Sequence, residues 1–425
     1  MTGAWIKPQI TRYNAVLYLL AALGFVLVVI RFAGGIGRVS NLNDGYPWGF
    51  WIGLDILAGI ALAAGGFIVA GMVHLFGAHK YHALARPAIL TAFLGYLLFI
   101  IGLAIDLGRP WMIWQVLFHW NHSSPMFEVS WCVTMYTTVL LLEFLPVVFE
   151  RFRWRHLLGM WHNFVPWAII LMVTLFTLAM SGSNVWTLLV FTILLLWEVA
   201  MRTGLMRRDA QMPVLLVMAG IIFSTLHQSS LGSLLLIIPH KLHPLWFTPV
   251  VPVFFLLSAI MIGVGMVIFE NIVSARVHKR KPDTHLLAGF ARALPVLLGL
   301  YLLIKVGDIF RTGAAEYLFM FNSAAIGMWL ELVVGVMIPL VLFMTTETRT
   351  SEKWLLRGSV FVVAGGIINR LNTVITAVVV EKWAPYHPSW MEIAISLGVL
   401  SGGILVMDFI VRNFPVFDDR PALAR

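Results

Sequence analysis

A chain of 425 residues that is 60% hydrophobic and only 12% charged has more apolar surface than one water-soluble core could hide. Its formal net charge of +9 comes from short basic clusters between apolar runs, not from one soluble basic face, which argues against a nucleic-acid-binding protein. One cysteine, Cys132, excludes a disulfide or a cysteine-ligated metal or iron–sulfur site built from this chain alone.

About twenty apolar residues at a helical rise cross the hydrocarbon layer. That rule places a first span at 14–32; Lys7 and Arg12 precede it and no clear small-residue cleavage pattern follows, so it reads as a retained helix, not a signal peptide. Further spans fall at 48–76, 87–106, 127–149, 163–181, 184–202, 212–231, 249–272, 292–310, 322–344, 357–380 and 391–411. The expected fold is an all-α polytopic bundle of about 12 transmembrane helices. Residues 1–425 form a single integral membrane domain, with no soluble domain, linker or internal repeat evident. Only Ser181-Gly182-Ser183-Asn184 separates 163–181 from 184–202; the alternative is ten helices plus a re-entrant or extra hairpin at 163–202.

Lys and Arg accumulate in cytoplasmic loops. Under this assignment twenty-one of the 29 fall on one side, six on the other, and Lys305 and Arg370 inside spans, so both termini are expected to be cytoplasmic.

Polar residues inside spans are costly and usually functional. The segment His227-Gln228-Ser229-Ser230-Leu231-Gly232-Ser233, running on to His240, Lys241, His243 and Pro244-Leu245-Trp246, places an imidazole and hydroxyls in an otherwise apolar run. His227 lies fourteen residues beyond Pro213, roughly 21 Å along a helix and in the periplasmic half. Asp55 is about two turns below the periplasmic start of its span, Glu128 opens the next span but one, Asp106 closes the span between, and Tyr96 is near mid-membrane. Several of these charges also have structural readings. Asp106 could pair with Arg109 at the headgroups, Lys305 and Asp308 could neutralise each other, Glu143 could snorkel, and Arg370 calls for an acidic or carbonyl partner such as Glu331. Arg86 before Pro87 marks a cytoplasmic helix start. Tryptophans such as Trp48, Trp51, Trp111, Trp114, Trp120, Trp246, Trp383 and Trp390 fit an interfacial belt, and Gly59, Gly65, Gly66 and Gly71 fit close helix packing.

Bis-histidine haem needs two facing imidazoles at similar depth, and only His227 of thirteen histidines is well inside a span. His119, His122, His240 and His243 lie in loops without a strong metal-ligand spacing. A quinone site instead needs an apolar slot, donors for two carbonyl oxygens and a group that exchanges protons. His227, Tyr96, Glu128 and Asp55 supply those chemistries; the same set would also serve an ion or solute transporter.

Several stretches then resemble a known family: Asp44-Gly45-Tyr46-Pro47-Trp48-Gly49-Phe50-Trp51-Ile52, Arg86-Pro87 with Gly95-Tyr96, Phe127-Glu128, Leu142-Glu143-Phe144-Leu145-Pro146, His227 to Trp246, Ile268-Phe269-Glu270 and Arg370-Leu371. They are similar to the NrfD/PsrC-like quinone-interacting membrane subunits, most closely the HybB-like subunits of membrane-bound nickel–iron hydrogenases. The resemblance implies a subunit of the bacterial inner membrane with no haem or iron–sulfur cluster of its own. It would pass electrons between a periplasmic ferredoxin-like iron–sulfur partner and the quinone pool, with menaquinone or ubiquinone as exchangeable substrate and a hydrogenase or other oxidoreductase as catalytic subunit. By motif position Tyr96, Glu128 and His227 correspond to the family's quinone and proton-handling residues and Arg86 to an associated charged position; Asp55 is added on depth and chemistry. The partner would dock on loops 33–47, 107–126 and 239–248. Between Trp161 and Gln211 the chain carries a hydrophobic hairpin beyond the ten-helix HybB-like pattern, which leaves a multihaem cytochrome or molybdopterin module open as the partner. Proton translocation is left open too.

Overall fold

The computed structural model describes residues 12–204, 214–379 and 386–417. Among the sequence expectations, Lys7, Arg207, Arg208, Lys382, Arg420, Arg425 and Trp383, the start of the seventh span at 212–213 and the end of the eleventh at 380 lie outside the described residues. Within them, twelve helices are long and apolar enough to cross a membrane. They are α1 (Asn14–Gly34), α2 (Ile52–His74), α3 (His79–Asp106), α4 (Pro125–Phe152), α5 (Arg155–Ser181), α6 (Asn184–Arg202), α7 (Val214–Leu236), α8 (Val251–Val277), α9 (Thr284–Arg311), α10 (Ser323–Met344), α11 (Glu352–Thr376) and α12 (Trp390–Asn413). Helices are the expected solution because a lipid-embedded backbone must satisfy its own hydrogen bonds. The described residues contain no strand beyond an isolated bridge between Leu242 and Val378.

The 163–202 segment is two full helices. Ser183 Oγ accepts from the Trp186 amide to start α6, and Gly182 takes a left-handed φ of 59° to end α5. Hydropathy found where chain crosses hydrocarbon, whereas the helices run further. α5 begins at Arg155 rather than 163, because its first turns are polar and exposed. α9 begins at Thr284 rather than 292, where Asp283 Oδ1 accepts from the Leu286 amide at 2.9 Å.

α2, α7 and α8 form the centre, and α4 and α11 pack against them. In α2 the most apolar window is 78% buried; in α6, which packs on α5 at the outside, only 11%, so α6 faces the surroundings. The Gly65 and Gly66 backbones of α2 meet α8 and α3 so closely that side chains would collide with Gly263, Val267, Ala88 and Ala92. α10 and α11 cross the same way: a Cβ on Gly335 would stand 2.7 Å from Gly365 Cα. Three helices widen into a π-helical stretch, at Ile52–Ala58, Val333–Met337 and Asn372–Thr376. Asp55 lies inside the first, and Glu331 and Arg370 stand two residues before the other two. Such stretches concentrate at functional positions.

Candidate functional site

Ser124 Oγ caps α4 and Pro125 occupies its first position, which fixes the start of the helix and hence its rotation. Glu128, Cys132 and Tyr136 then recur every four residues and Glu143 follows seven later, so they share one face, packed against α7. α7 presents Gly220, Ser224, His227 and Leu231 at the same periodicity. From α3, Tyr96 and Phe99 enter the junction three residues apart.

The three helices meet at His227. Its ring lies 5.7 Å from the Tyr96 ring and 5.9 Å, edge-on, from Phe99. Tyr96 in turn meets the Tyr136 ring edge-on at 4.7 Å, and Ser224 lies beside both phenols. The Val129 backbone lies beside the imidazole without a hydrogen bond of ordinary geometry. Gln228 donates from Nε2 to the Ile60 carbonyl at 3.0 Å, tying α7 to α2. One turn towards the end of α7, Ser230 Oγ donates to Glu128 Oε1 at 2.6 Å.

Six buried polar atoms in this junction make no hydrogen bond of ordinary geometry among the described residues: the hydroxyls of Tyr96, Tyr136 and Ser224, both ring nitrogens of His227, and Gln228 Oε1, although the Phe67 backbone, like Ser224, lies beside the Tyr136 phenol. An unmet buried donor or acceptor costs about 1–3 kcal/mol. Six in one seam are a large penalty unless water or a ligand meets them. The set contains donors and acceptors, an exchangeable imidazole proton and aromatic walls. It fits a flat ring with two carbonyl oxygens.

The residues nominated from sequence divide accordingly. Tyr96 and His227 are in contact, and Glu128 stands next to Val129 at the edge of the same junction. Asp55, on α2, faces α3 and α12 away from this junction: its Cβ packs against Gly102 of α3, and Ser396 Oγ of α12 donates to its Oδ2 at 2.6 Å. Arg86 is apart from the others. At the arginine-rich face it pairs with Glu150 through bonds of 2.9 and 2.7 Å and donates to the Pro415 carbonyl at 3.0 Å. Tyr136 was not nominated, although its four-residue spacing from Cys132 and Glu128 was a signal. Gln228 was noted only as polar company for His227. Glu143 does not snorkel; it is buried near Gly220 and Tyr136.

A second polar network occupies the other half of the bundle. Glu331 accepts from Trp246 Nε1 at 3.3 Å and from the Tyr301 hydroxyl at 3.0 Å. Asn369 Nδ2 donates to Tyr301, and Arg370 donates to Asn369 Oδ1 at 2.6 Å, to the Phe255 carbonyl at 3.0 Å and to Ser258 Oγ at 2.9 Å. Arg370 thus reaches Glu331 through Asn369 and Tyr301, not directly. The expected Lys305–Asp308 pair is also absent. Asp308 bonds to Arg311 at 2.6 Å, one turn on, and to Thr248, whereas Lys305 donates to the Leu245 carbonyl at 3.4 Å and lies over the Phe254 ring. Asp106 likewise has Arg31, not Arg109, as its basic neighbour; Arg31 also donates to the Ile105 and Leu107 carbonyls at the end of α3.

Outside the spans, loop 239–248 is pinned by His243 N to the Ala377 carbonyl at 2.7 Å and by Lys241 Nζ to the Gly45 carbonyl at 2.9 Å. His243 Nδ1 accepts from the Leu245 amide, and partial burial lowers its pKa from the ordinary 6.5. Burial raises the phenol pKa values of Tyr46 and Tyr386, which pack together at 4.6 Å. Among the described residues no group of three or more His, Cys, Asp or Glu side chains could hold a metal ion.

The fold and the junction define a multi-pass helical membrane protein with an orphaned polar seam at its centre. The family model for polysulphide reductase, NrfD matches residues 38–381, and the chain belongs to the NrfD family. It is 35% identical to a protein of Nitratidesulfovibrio vulgaris, over 98% of this chain and 97% of that protein. It is 29% identical to the probable Ni/Fe-hydrogenase 2 b-type cytochrome subunit of Escherichia coli, over 93% of this chain and 90% of that subunit. A third relative, the menaquinone reductase integral membrane subunit of Nitratidesulfovibrio vulgaris, is 23% identical over 92% of this chain and 88% of its own length.

Proposed function

We propose that this protein is the quinone-interacting membrane subunit of a respiratory oxidoreductase complex, exchanging electrons between an iron–sulfur partner subunit and the membrane quinone pool. The observation that carries this reading is the set of six unpartnered polar atoms around His227, Tyr96, Tyr136, Ser224 and Gln228. Family membership and relatives named for menaquinone reductase and hydrogenase support it.

In this reading His227 and Tyr96 hold the quinone carbonyls and exchange protons at His227 Nδ1 or Nε2 and at the Tyr96 hydroxyl. Gln228 Oε1 accepts from a quinol hydroxyl, because its amide nitrogen is committed to the Ile60 carbonyl. Phe99 and the Tyr96 ring exclude water from the ring plane. Glu128, held by Ser230, relays protons at the rim of the junction, and Asp55 serves a connected but separate position between α2 and α12. A quinone supplies a two-electron, two-proton couple when bound. The arginine-rich face is the cytoplasmic one, by the positive-inside rule, in the inner membrane of a bacterium. The partner docks on the opposite face, around 33–47, 107–126 and 239–248.

The test is quinone-dependent oxidation or reduction by the complex purified with its native partners. His227→Ala and Glu128→Gln are each expected to lower turnover by about a hundredfold or more while the complex still assembles. Undiminished turnover in both would overturn the assignment.

A further inference from the structure

A buried carboxyl stands on α4 outside the central seam. Glu143 is 5% exposed, and among the described residues it makes no ion pair and no hydrogen bond of ordinary geometry. A carboxyl so placed is costly in a membrane interior and usually functional. It stands seven residues after Tyr136, so the two share a face, and seven before Glu150, which pairs with Arg86 at the arginine-rich face. Each of these intervals is roughly 10 Å of helix.

α7 leaves a gap between Glu143 and the seam. A Cβ on Gly220 would stand 3.6 Å from Glu143 Oε1, 3.8 Å from Tyr136 Cε2 and 3.3 Å from Val139, so the carboxyl and the edge of the phenol meet at one glycine. From there the contacts are continuous. Tyr136 meets the Tyr96 ring at 4.7 Å, and Tyr96 meets the His227 ring at 5.7 Å. Ser224, one turn from Gly220 towards His227, adds a buried hydroxyl that makes no hydrogen bond of ordinary geometry. Beyond His227, Glu128 is held by Ser230 at the opposite rim. Two carboxyls of one helix thus flank the seam, one towards each face of the membrane.

We propose that Glu143 is a proton relay between the seam and the arginine-rich face, acting across the Gly220 gap through Tyr136. The inference rests on the quinone reading above. Quinone becomes quinol with two electrons from the partner and two protons. Glu143 gives one proton towards Tyr136 and regains one from the arginine-rich face, while the other passes at the Glu128 rim. Oxidation of quinol runs the same transfers in reverse.

The experiment places the complex, purified with its native partners, in liposomes containing menaquinone or ubiquinone and a trapped pH dye. A reduced, membrane-impermeant viologen outside feeds only those complexes whose partner faces outwards, and its oxidation releases no proton. The readout is the number of lumen protons consumed per quinol formed, expected to be about one in the parent. Glu143→Gln is expected to lower turnover and to bring this ratio close to zero. Gly220→Ala, which puts a methyl between carboxyl and phenol, is expected to lower the ratio with Glu143 intact, and decides the question should Glu143→Gln fail to assemble. A purely structural fault would slow turnover and leave the ratio unchanged. A parent that reduces quinone without drawing on the lumen, or an unchanged ratio in both variants, would overturn the relay and leave the quinone reading standing. No quinone-dependent turnover in the parent would remove both.

Discussion

The segment from His227 to Trp246 feeds two polar regions built on opposite plans. At its start, His227 and Gln228 stand among six polar atoms that the protein leaves unpartnered. At its end, Trp246 donates to Glu331, and from there each side chain accepts a hydrogen bond from the next as far as Arg370, whose Nε alone is unmet. Both regions are costly in a membrane interior. The second recovers the cost internally and therefore holds α8, α9, α10 and α11 together. The first leaves it outstanding, which is sensible only where something arrives to meet it.

This contrast predicts that the two regions fail differently. The largest effect is expected in the closed network: Arg370→Ala or Glu331→Ala strands a buried charge and should cost about 3–5 kcal/mol, read as a fall in the thermal unfolding midpoint of the solubilised protein. Stability equal to the parent would erase the distinction. Next, His227→Ala should leave the unfolding midpoint almost unmoved and lower quinone-linked turnover by about a hundredfold or more, the scale of lost acid–base catalysis. Loss of folding with retained specific activity would reverse the two regions' roles. Tyr96→Phe removes one hydroxyl that makes no hydrogen bond of ordinary geometry, so turnover should fall by roughly tenfold while stability holds or rises slightly; a clear destabilisation would mean that Ser224 beside it is its partner.

The smallest effect is a pH dependence in the loop between the regions. The folded state lowers the His243 pKa below 6.5, so the unfolded chain binds the extra proton more readily and stability falls as pH drops below 6.5. Protonation also removes the Nδ1 acceptor that holds the Leu245 amide. Comparing unfolding midpoints of the parent and His243→Asn across that range checks it; identical slopes would remove His243 as the cause.

How much of this was legible in the sequence follows from what each signal measures. Apolar length reports the hydrocarbon crossing, so twelve spans could be counted, while the first turns of α5, with Arg155 and His156, and of α9, cut off by Arg292, lay beyond its reach. His227 was conspicuous because no apolar span needs an imidazole. Tyr136 was not, because tyrosine is ordinary near membrane surfaces and its depth becomes plain only once α4 is rotated against α7. Pairing was least legible. Lys305 and Asp308 have the right spacing for an ion pair, but Arg311 has the same spacing from Asp308 and more freedom to reach it from the end of α9. Arg86 has a motif-like neighbourhood, yet its partner Glu150 is 64 residues away in sequence.

The π-helical stretches carry a consequence for how this architecture tolerates change. Each absorbs one residue more than an α-helix would need, and removing a residue restores the regular helix while changing the direction of the side chains in and next to the widened turn. Asp55, Glu331 and Arg370 all sit at or beside such a step. Their aim is therefore set by rotational phase rather than by residue identity, and a one-residue deletion within Ile52–Ala58 would keep Asp55 in the chain yet swing it away from Ser396.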